Sequence, residues 1–142
     1  MPTAFSLHIL AADKPFYEGE CTSLVIPTPT GQYGIMAHHE NYVTAVVPGE
    51  LDFEYEESGI KVRMSAAVSG GMVKVENNEV LVLVETAEYP ESIDEMMARR
   101  DAEAAREELS HKQSHREYVA AQARLARAMN RLKVKQHRGE QH

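Results

Sequence analysis

The sequence predicts an α+β protein: an N-terminal antiparallel β-sandwich over residues 1–87, then a C-terminal antiparallel helical hairpin over residues 88–142. Three observations predict it. All six prolines, seven of the eight glycines and eleven of the thirteen valines lie at or before position 90, and alanine, glutamate and arginine take over afterwards. β-Branched side chains suit pleated sheets and are stiff in helices, so the switch in usage is a switch in structure. Apolar residues alternate with period two in the first part and recur at helical spacing in the second. Two helix-start signals then stand 22 residues apart.

Each strand follows from its own pattern. Phe5, Leu7 and Ile9 alternate with Ser6 and His8, and Leu51, Phe53 and Tyr55 alternate with Asp52, Glu54 and Glu56, as half-buried strands do. Leu24 to Ile26, Val43 to Val47, Ile60 to Met64, Met72 to Val75 and Val80 to Val84 supply the others. Between them lie turn residues: Pro27-Thr28-Pro29, Pro48-Gly49, Ser58-Gly59 and Asn77-Asn78. Asparagine tolerates positive φ, so the last pair predicts a tight hairpin. Turns every ~8–12 residues favour a sandwich or barrel over βαβ units, and no helical crossover is present to wind a parallel sheet. Gly31 to Gly34 and Gly70-Gly71 read as turns or bulges, because the Lys-Ser/Thr and following helix of a phosphate loop are missing.

The helices are placed by their starts. Ser92-Ile93-Asp94-Glu95, just after Pro90, and Ser114-His115-Arg116-Glu117 are capping boxes. They predict helices over 92–110 and 115–136, joined by a short link and therefore antiparallel. On the second, Tyr118, Ala121, Leu125, Ala128, Met129 and Leu132 form one apolar stripe, with Arg124, Arg127 and Arg131 on a separate ridge turned away from it. On the first, Ala98, Ala102, Ala105 and Leu109 form a seam of mostly small side chains. Each methyl adds only ~0.8 kcal/mol on burial, so the hairpin is expected to be held loosely enough to open.

Charge is unevenly spread. The chain of 142 residues carries −7, yet residues 111–142 hold eight Lys or Arg against two Asp or Glu. An acidic body argues against a general nucleic-acid surface, and a basic tail on it suggests an acidic target for the tail alone. No stretch reaches the ~18 apolar residues of a membrane-spanning helix. No export signal is visible in Met1-Pro2-Thr3-Ala4-Phe5-Ser6. The single cysteine, Cys21, excludes an internal disulfide and a multi-cysteine zinc site, and points to a reducing compartment.

A catalytic constellation is not evident. His38-His39-Glu40 is the one dense cluster of ligand-type residues. Neighbours on a strand point to opposite faces, which makes a shared metal difficult, and HExxH is absent. The expectation is no metal, no cofactor and no active site.

Taken in order, the residues resemble a known family. Gly31-Gln32-Tyr33-Gly34-Ile35-Met36 leads to His39; Val68-Ser69-Gly70-Gly71-Met72-Val73-Lys74-Val75 and Val80 to Val84 follow. Thr86-Ala87-Glu88, Ile93-Asp94 and Ala128-Met129-Asn130-Arg131-Leu132-Lys133-Val134 complete the series. This is similar to the epsilon subunits of bacterial F-type ATP synthases and to chloroplast epsilon and mitochondrial delta, over residues 3–135. The resemblance implies a ten-stranded sandwich and a helical hairpin. It also implies a non-catalytic rotor subunit of the central stalk, on the cytoplasmic face of the bacterial inner membrane, coupling proton or sodium flow to ATP synthesis. Implied partners are gamma and the membrane c-ring for the sandwich, with Gln32, His38 and His39 toward the ring. The extended hairpin would block ATP hydrolysis, its Arg124, Arg127 and Arg131 meeting acidic segments of the catalytic alpha and beta subunits.

Three departures stand out. Where the family has Gly-Ile-Leu-Pro-Gly-His-x-Pro-Leu, this chain has Gly34-Ile35-Met36-Ala37-His38-His39-Glu40-Asn41-Tyr42, so the loop is expected to differ in stiffness. Gln32 is neutral where relatives are often acidic. Some members bind ATP through Ile/Leu-Asp-x-x-Arg-Ala; here Ile93, Asp94 and Ala98 match, but the arginine position is Met97. A missing guanidinium removes a charge and up to five donors, so ATP binding is expected to be weak or absent. Two other readings compete: a free-standing sandwich binding a small ligand under a helical lid, and a metal-dependent hydrolase using His38, His39 and Glu40.

Overall fold

The structure, a computed structural model, describes residues 3–12, 14–111 and 114–140. The chain divides into two compact units, residues 1–89 and 90–142. The first holds ten strands: β1 (Phe5–Ala11), β2 (Lys14–Cys21), β3 (Ser23–Thr28), β4 (Gly31–Met36), β5 (Tyr42–Val46), β6 (Gly49–Glu57), β7 (Ile60–Val68), β8 (Gly71–Glu76), β9 (Glu79–Val84) and β10 (Ala87–Glu88). They form two five-stranded sheets, ordered β2-β1-β9-β8-β5 and β10-β7-β6-β3-β4.

The two sheets make a sandwich because alternation leaves each with one apolar face. Leu7, Ile9, Val73, Val75, Val80 and Val82 from the first sheet are buried with Leu24, Ile26, Ile35, Leu51 and Phe53 from the second. Fully burying such a side chain contributes about 1.5–3 kcal/mol. The outer face of the second sheet is polar: Ser65 Oγ donates to Asp52 Oδ1 at 2.5 Å, and Glu54 lies near both Lys61 and Arg63.

Two hairpins follow their turn chemistry. Glu76 opposes Glu79 across Asn77 and Asn78, whose φ values are 51° and 61°. Glu57 opposes Ile60 across Ser58 and Gly59, at 53° and 78°. Positive φ at both central residues is the hairpin geometry that matches strand twist.

Three local readings change. The pairs are antiparallel except one: β1 lies parallel to β9, Leu7 beside Val80 and Ile9 beside Val82. A parallel pair needs a long crossover, and here seven intervening strands supply it in place of a helix. Gly31 to Gly34 is strand, not turn; only Gly31 adopts positive φ, at 116°, closing the Pro29-Thr30 turn, while Gly34 sits on edge strand β4 opposite Val25. Lys14–Cys21, which carries little alternation, is also a strand.

The second unit contains a 3₁₀ turn (Pro90–Ser92), α1 (Glu95–Ser110) and α2 (His115–Glu140). The first helix starts later than its capping box suggested. Ser92 is spent in the 3₁₀ turn, and Asp94 is the N-cap, in extended conformation, accepting from the Met97 N–H at 3.1 Å. Ser114 caps α2 as expected, accepting from the Glu117 N–H at 3.2 Å.

Gly71 is the tightest glycine position among the described strands, tighter than Gly49, where a Cβ would lie 2.7 Å from Pro27 Cβ. A Cβ at Gly71 would lie 1.9 Å from the Leu83 carbonyl oxygen, whereas one at Gly34 would meet nothing within 4 Å. Gly71→Ala is expected to destabilise the chain by about 1–3 kcal/mol, and Gly34→Ala by less than ~1 kcal/mol. Denaturant midpoints of the two variants check this ordering.

Candidate functional site

The first candidate region is the β4–β5 connection. Met36 accepts from the His39 N–H at 3.2 Å, closing a turn in which His38 takes φ 63°. That conformation favours glycine. The His38 N–H donates to Asn78 Oδ1 at 2.7 Å, and the Asn77 N–H donates to Asn41 Oδ1 at 3.2 Å. Asn78 Nδ2 also donates to the Ala4 carbonyl at 3.0 Å. An asparagine clamp thus ties the two loops together.

His39 is set by its partners. Its Nδ1 lies 2.7 Å from the Glu40 carbonyl oxygen, which can only accept, so Nδ1 carries the proton. Nε2 then accepts from the Tyr33 hydroxyl at 2.6 Å. Desolvation pushes the Tyr33 hydroxyl above its usual pKa, with Tyr42 and Glu40 adding repulsion, so it stays a donor. Tyr33 stacks on Tyr42 at 4.8 Å, and His39 lies 5.9 Å from Tyr42.

With both His39 nitrogens engaged, the trio His38, His39 and Glu40 has no shared metal geometry. Among the described residues no group of three His, Cys, Asp or Glu could hold a metal. Gln32 is exposed and alternates with Tyr33 along β4, so it projects from the other face of the strand. Tyr33 and Tyr42 complete this cluster; two tyrosines flanking a histidine were its only trace in the sequence.

The second candidate region is the groove between α1 and α2. Ala98, Ala102 and Ala105 of α1 and Ala121, Ala128 and Val134 of α2 are buried, while Tyr118 and Met129 are 42% and 43% exposed. The seam therefore runs along the alanines and is rotated off the predicted stripe. Arg124 and Arg131 each follow a seam alanine by three residues, ~60° around the helix, so the arginine ridge flanks the groove instead of turning away. Arg124 pairs with Glu108, and Arg131 Nη1 lies 3.6 Å from Asp101 Oδ2. Asp101, Arg124 and Arg131, with Arg127, Ala104, Ala105 and Ala128, line a cavity of about 220 Å³.

The nucleotide-motif residues have structural tasks. Ile93 and Ala98 are buried, and the Asp94 carboxylate caps α1. Met97 is half exposed and presents a thioether where the motif has a guanidinium. A cavity of about 370 Å³ bounded by His8, Lys74, Glu76 and Leu81 opens on the outer face of the first sheet. No described helix is long and apolar enough to cross a membrane.

A ten-stranded sandwich joined to a hairpin with a charged groove defines a two-part class, its distinctive side chains gathered in a loop clamp and along a helix seam. The pattern described as the ATP synthase Delta/Epsilon chain beta-sandwich domain matches residues 4–90, and that of the long alpha-helix domain matches residues 91–136. The chain belongs to the ATP synthase delta/epsilon family. Similar proteins include the ATP synthase epsilon chain of Caldanaerobacter subterraneus subsp. tengcongensis, 36% identical over 135 residues, covering 94% of this chain and 95% of that one. The epsilon chain of Thioalkalivibrio sulfidiphilus is 32% identical over 134 residues, covering 94% of each. A chain of the Euglena gracilis mitochondrial ATP synthase, solved as OSCP/F1/c-ring, shares the fold with TM-score 0.76 at 23% identity, covering all of this chain and 84% of that one.

Asn78 carries two of the clamp bonds, one exposed and one part-buried, and such bonds contribute about 0.5–1.5 kcal/mol each. Asn78→Ala is expected to lower stability within that range and to speed amide exchange at His38 more than at strand β6. Equal exchange at His38 in the two proteins would show that the loop does not need the clamp.

Proposed function

We infer that this chain is an epsilon-type subunit of an F-type ATP synthase, a component of the rotor without an active site of its own. The observation that carries this is the match of both halves, in order, to the two domains of the family, with relatives similar over 94% of the chain. In this reading it works in a membrane-associated complex as a peripheral component, on the cytoplasmic face of a bacterial inner membrane, and couples proton or sodium flow to ATP synthesis.

The sandwich binds gamma and rests against the c-ring, with the clamped His38-His39 loop as the contact and exposed Gln32 at its margin. The hairpin is the regulatory part. When it opens, α2 presents Arg124, Arg127 and Arg131 to acidic segments of the alpha and beta subunits and slows ATP hydrolysis. Guanidinium–carboxylate pairs are directional and charge-assisted, which suits a reversible brake. The groove supports this reading, since the ridge already pairs with carboxylates of α1.

The test compares ATP hydrolysis by membranes carrying the full-length chain with membranes carrying a chain ending at Glu88. Faster hydrolysis with the shorter chain is expected; equal rates would remove the inhibitory role. A second expectation concerns nucleotide. With Met97 at the arginine position and Asp94 held as a cap, calorimetry on the isolated full-length chain is expected to show ATP binding weaker than micromolar, and micromolar affinity would refute it.

A further inference from the structure

We propose that Asp101 and Glu108 form an internal latch: they occupy the α2 arginines in place of a partner's carboxylates and keep the hairpin closed until such a partner competes for them. The inference rests on the reading of the hairpin as the inhibitory element, and it names the device that sets when inhibition begins.

The register carries it. Asp101 and Glu108 are seven residues apart on α1, two helical turns on one face. Arg131 and Arg124, their partners, are seven apart on α2 in the opposite direction. Both ion pairs therefore belong to one antiparallel register and are made or lost together. Arg131 is only 20% exposed on its side chain, so its charge is largely withdrawn from solvent while the pair stands.

The apolar seam beside the latch is mostly alanine with Val134 and buries little area, so the paired charges supply a share of closure that a partner can take away. The charge distribution favours closure. From Glu95 to Ser110, α1 carries five carboxylates against three arginines, whereas α2 carries seven cations against two carboxylates. Each guanidinium fork engages one carboxylate well at a time. An acidic partner and the latch are thus mutually exclusive occupants of Arg124 and Arg131, and weakening the latch raises the share of hairpins ready for a partner.

The test uses the full-length chain with Asp101→Asn and Glu108→Gln together, which keep side-chain size and remove charge. In the isolated protein, amide exchange in α1 and α2 is expected to quicken about threefold to tenfold, a range set by two part-exposed pairs, with the β-strands unchanged. Raising the salt concentration is expected to quicken exchange more in the unaltered hairpin than in the variant, because only the former has the two latch pairs to screen. In membranes, the variant is expected to inhibit ATP hydrolysis more deeply. Arg124→Gln with Arg131→Gln also opens the hairpin but is expected to relieve inhibition.

Unchanged exchange in the carboxylate variant would overturn the latch. Faster exchange with unaltered hydrolysis would overturn its regulatory role, because opening would then not limit inhibition. Failure of the wider reading looks different: the chain ending at Glu88 would hydrolyse ATP at the full-length rate, whatever the exchange data showed.

Discussion

The pairing of β1 with β9 is the constraint on which the sandwich depends. It sits at the centre of the β2-β1-β9-β8-β5 sheet, so without it the sheet falls into a two-stranded and a three-stranded piece. The two-stranded piece alone is marginal in water. The pair joins strands separated by most of the unit and must close a long loop before its hydrogen bonds form. It is also pinned at both ends: the Ser6 N–H donates to the Asn78 carbonyl at 3.2 Å, and the Ala12 N–H donates to the Glu85 carbonyl at 3.2 Å.

Asn78 links this architecture to the loop that the functional reading uses. Its backbone carbonyl holds β1, its side-chain amide holds Ala4, and its side-chain oxygen holds His38. A positive-φ hairpin turn thereby also serves as the support for an exposed loop, which explains how His38 can keep a glycine-like conformation. The Tyr33–His39–Tyr42 cluster then completes that corner with aromatic contacts. Support comes from groups distant in the chain, so the loop gains rigidity without prolines.

The hairpin follows the opposite design. Small side chains bring its helices close while contributing little apolar burial, and paired charges flank the line of contact. Exposed or part-exposed pairs are each worth at most about 1 kcal/mol and weaken with salt. A seam built this way is easily exchanged for another surface bearing carboxylates. The sandwich is stabilised by non-local burial and the hairpin by local, replaceable contacts, a division suited to a fixed part and a movable part.

The amino-acid pattern by itself determined the strand and helix regimes, the Asn77-Asn78 and Ser58-Gly59 turns, the Ser114 cap and the core faces, because period, turn chemistry and capping are local properties. It also carried the family, through the order of segments from Gly31 to Val134. It misjudged Gly31 to Gly34 as a turn, since an edge strand tolerates glycine where nothing packs above it, and it started α1 at Ser92 because two capping residues stood two positions apart. Only the tertiary structure decided the parallel β1–β9 pair, the asparagine clamp on His38, and the engagement of Arg124 and Arg131 by Glu108 and Asp101. Each of these joins residues far apart in the chain, and which distant groups meet is set by packing, not by periodicity.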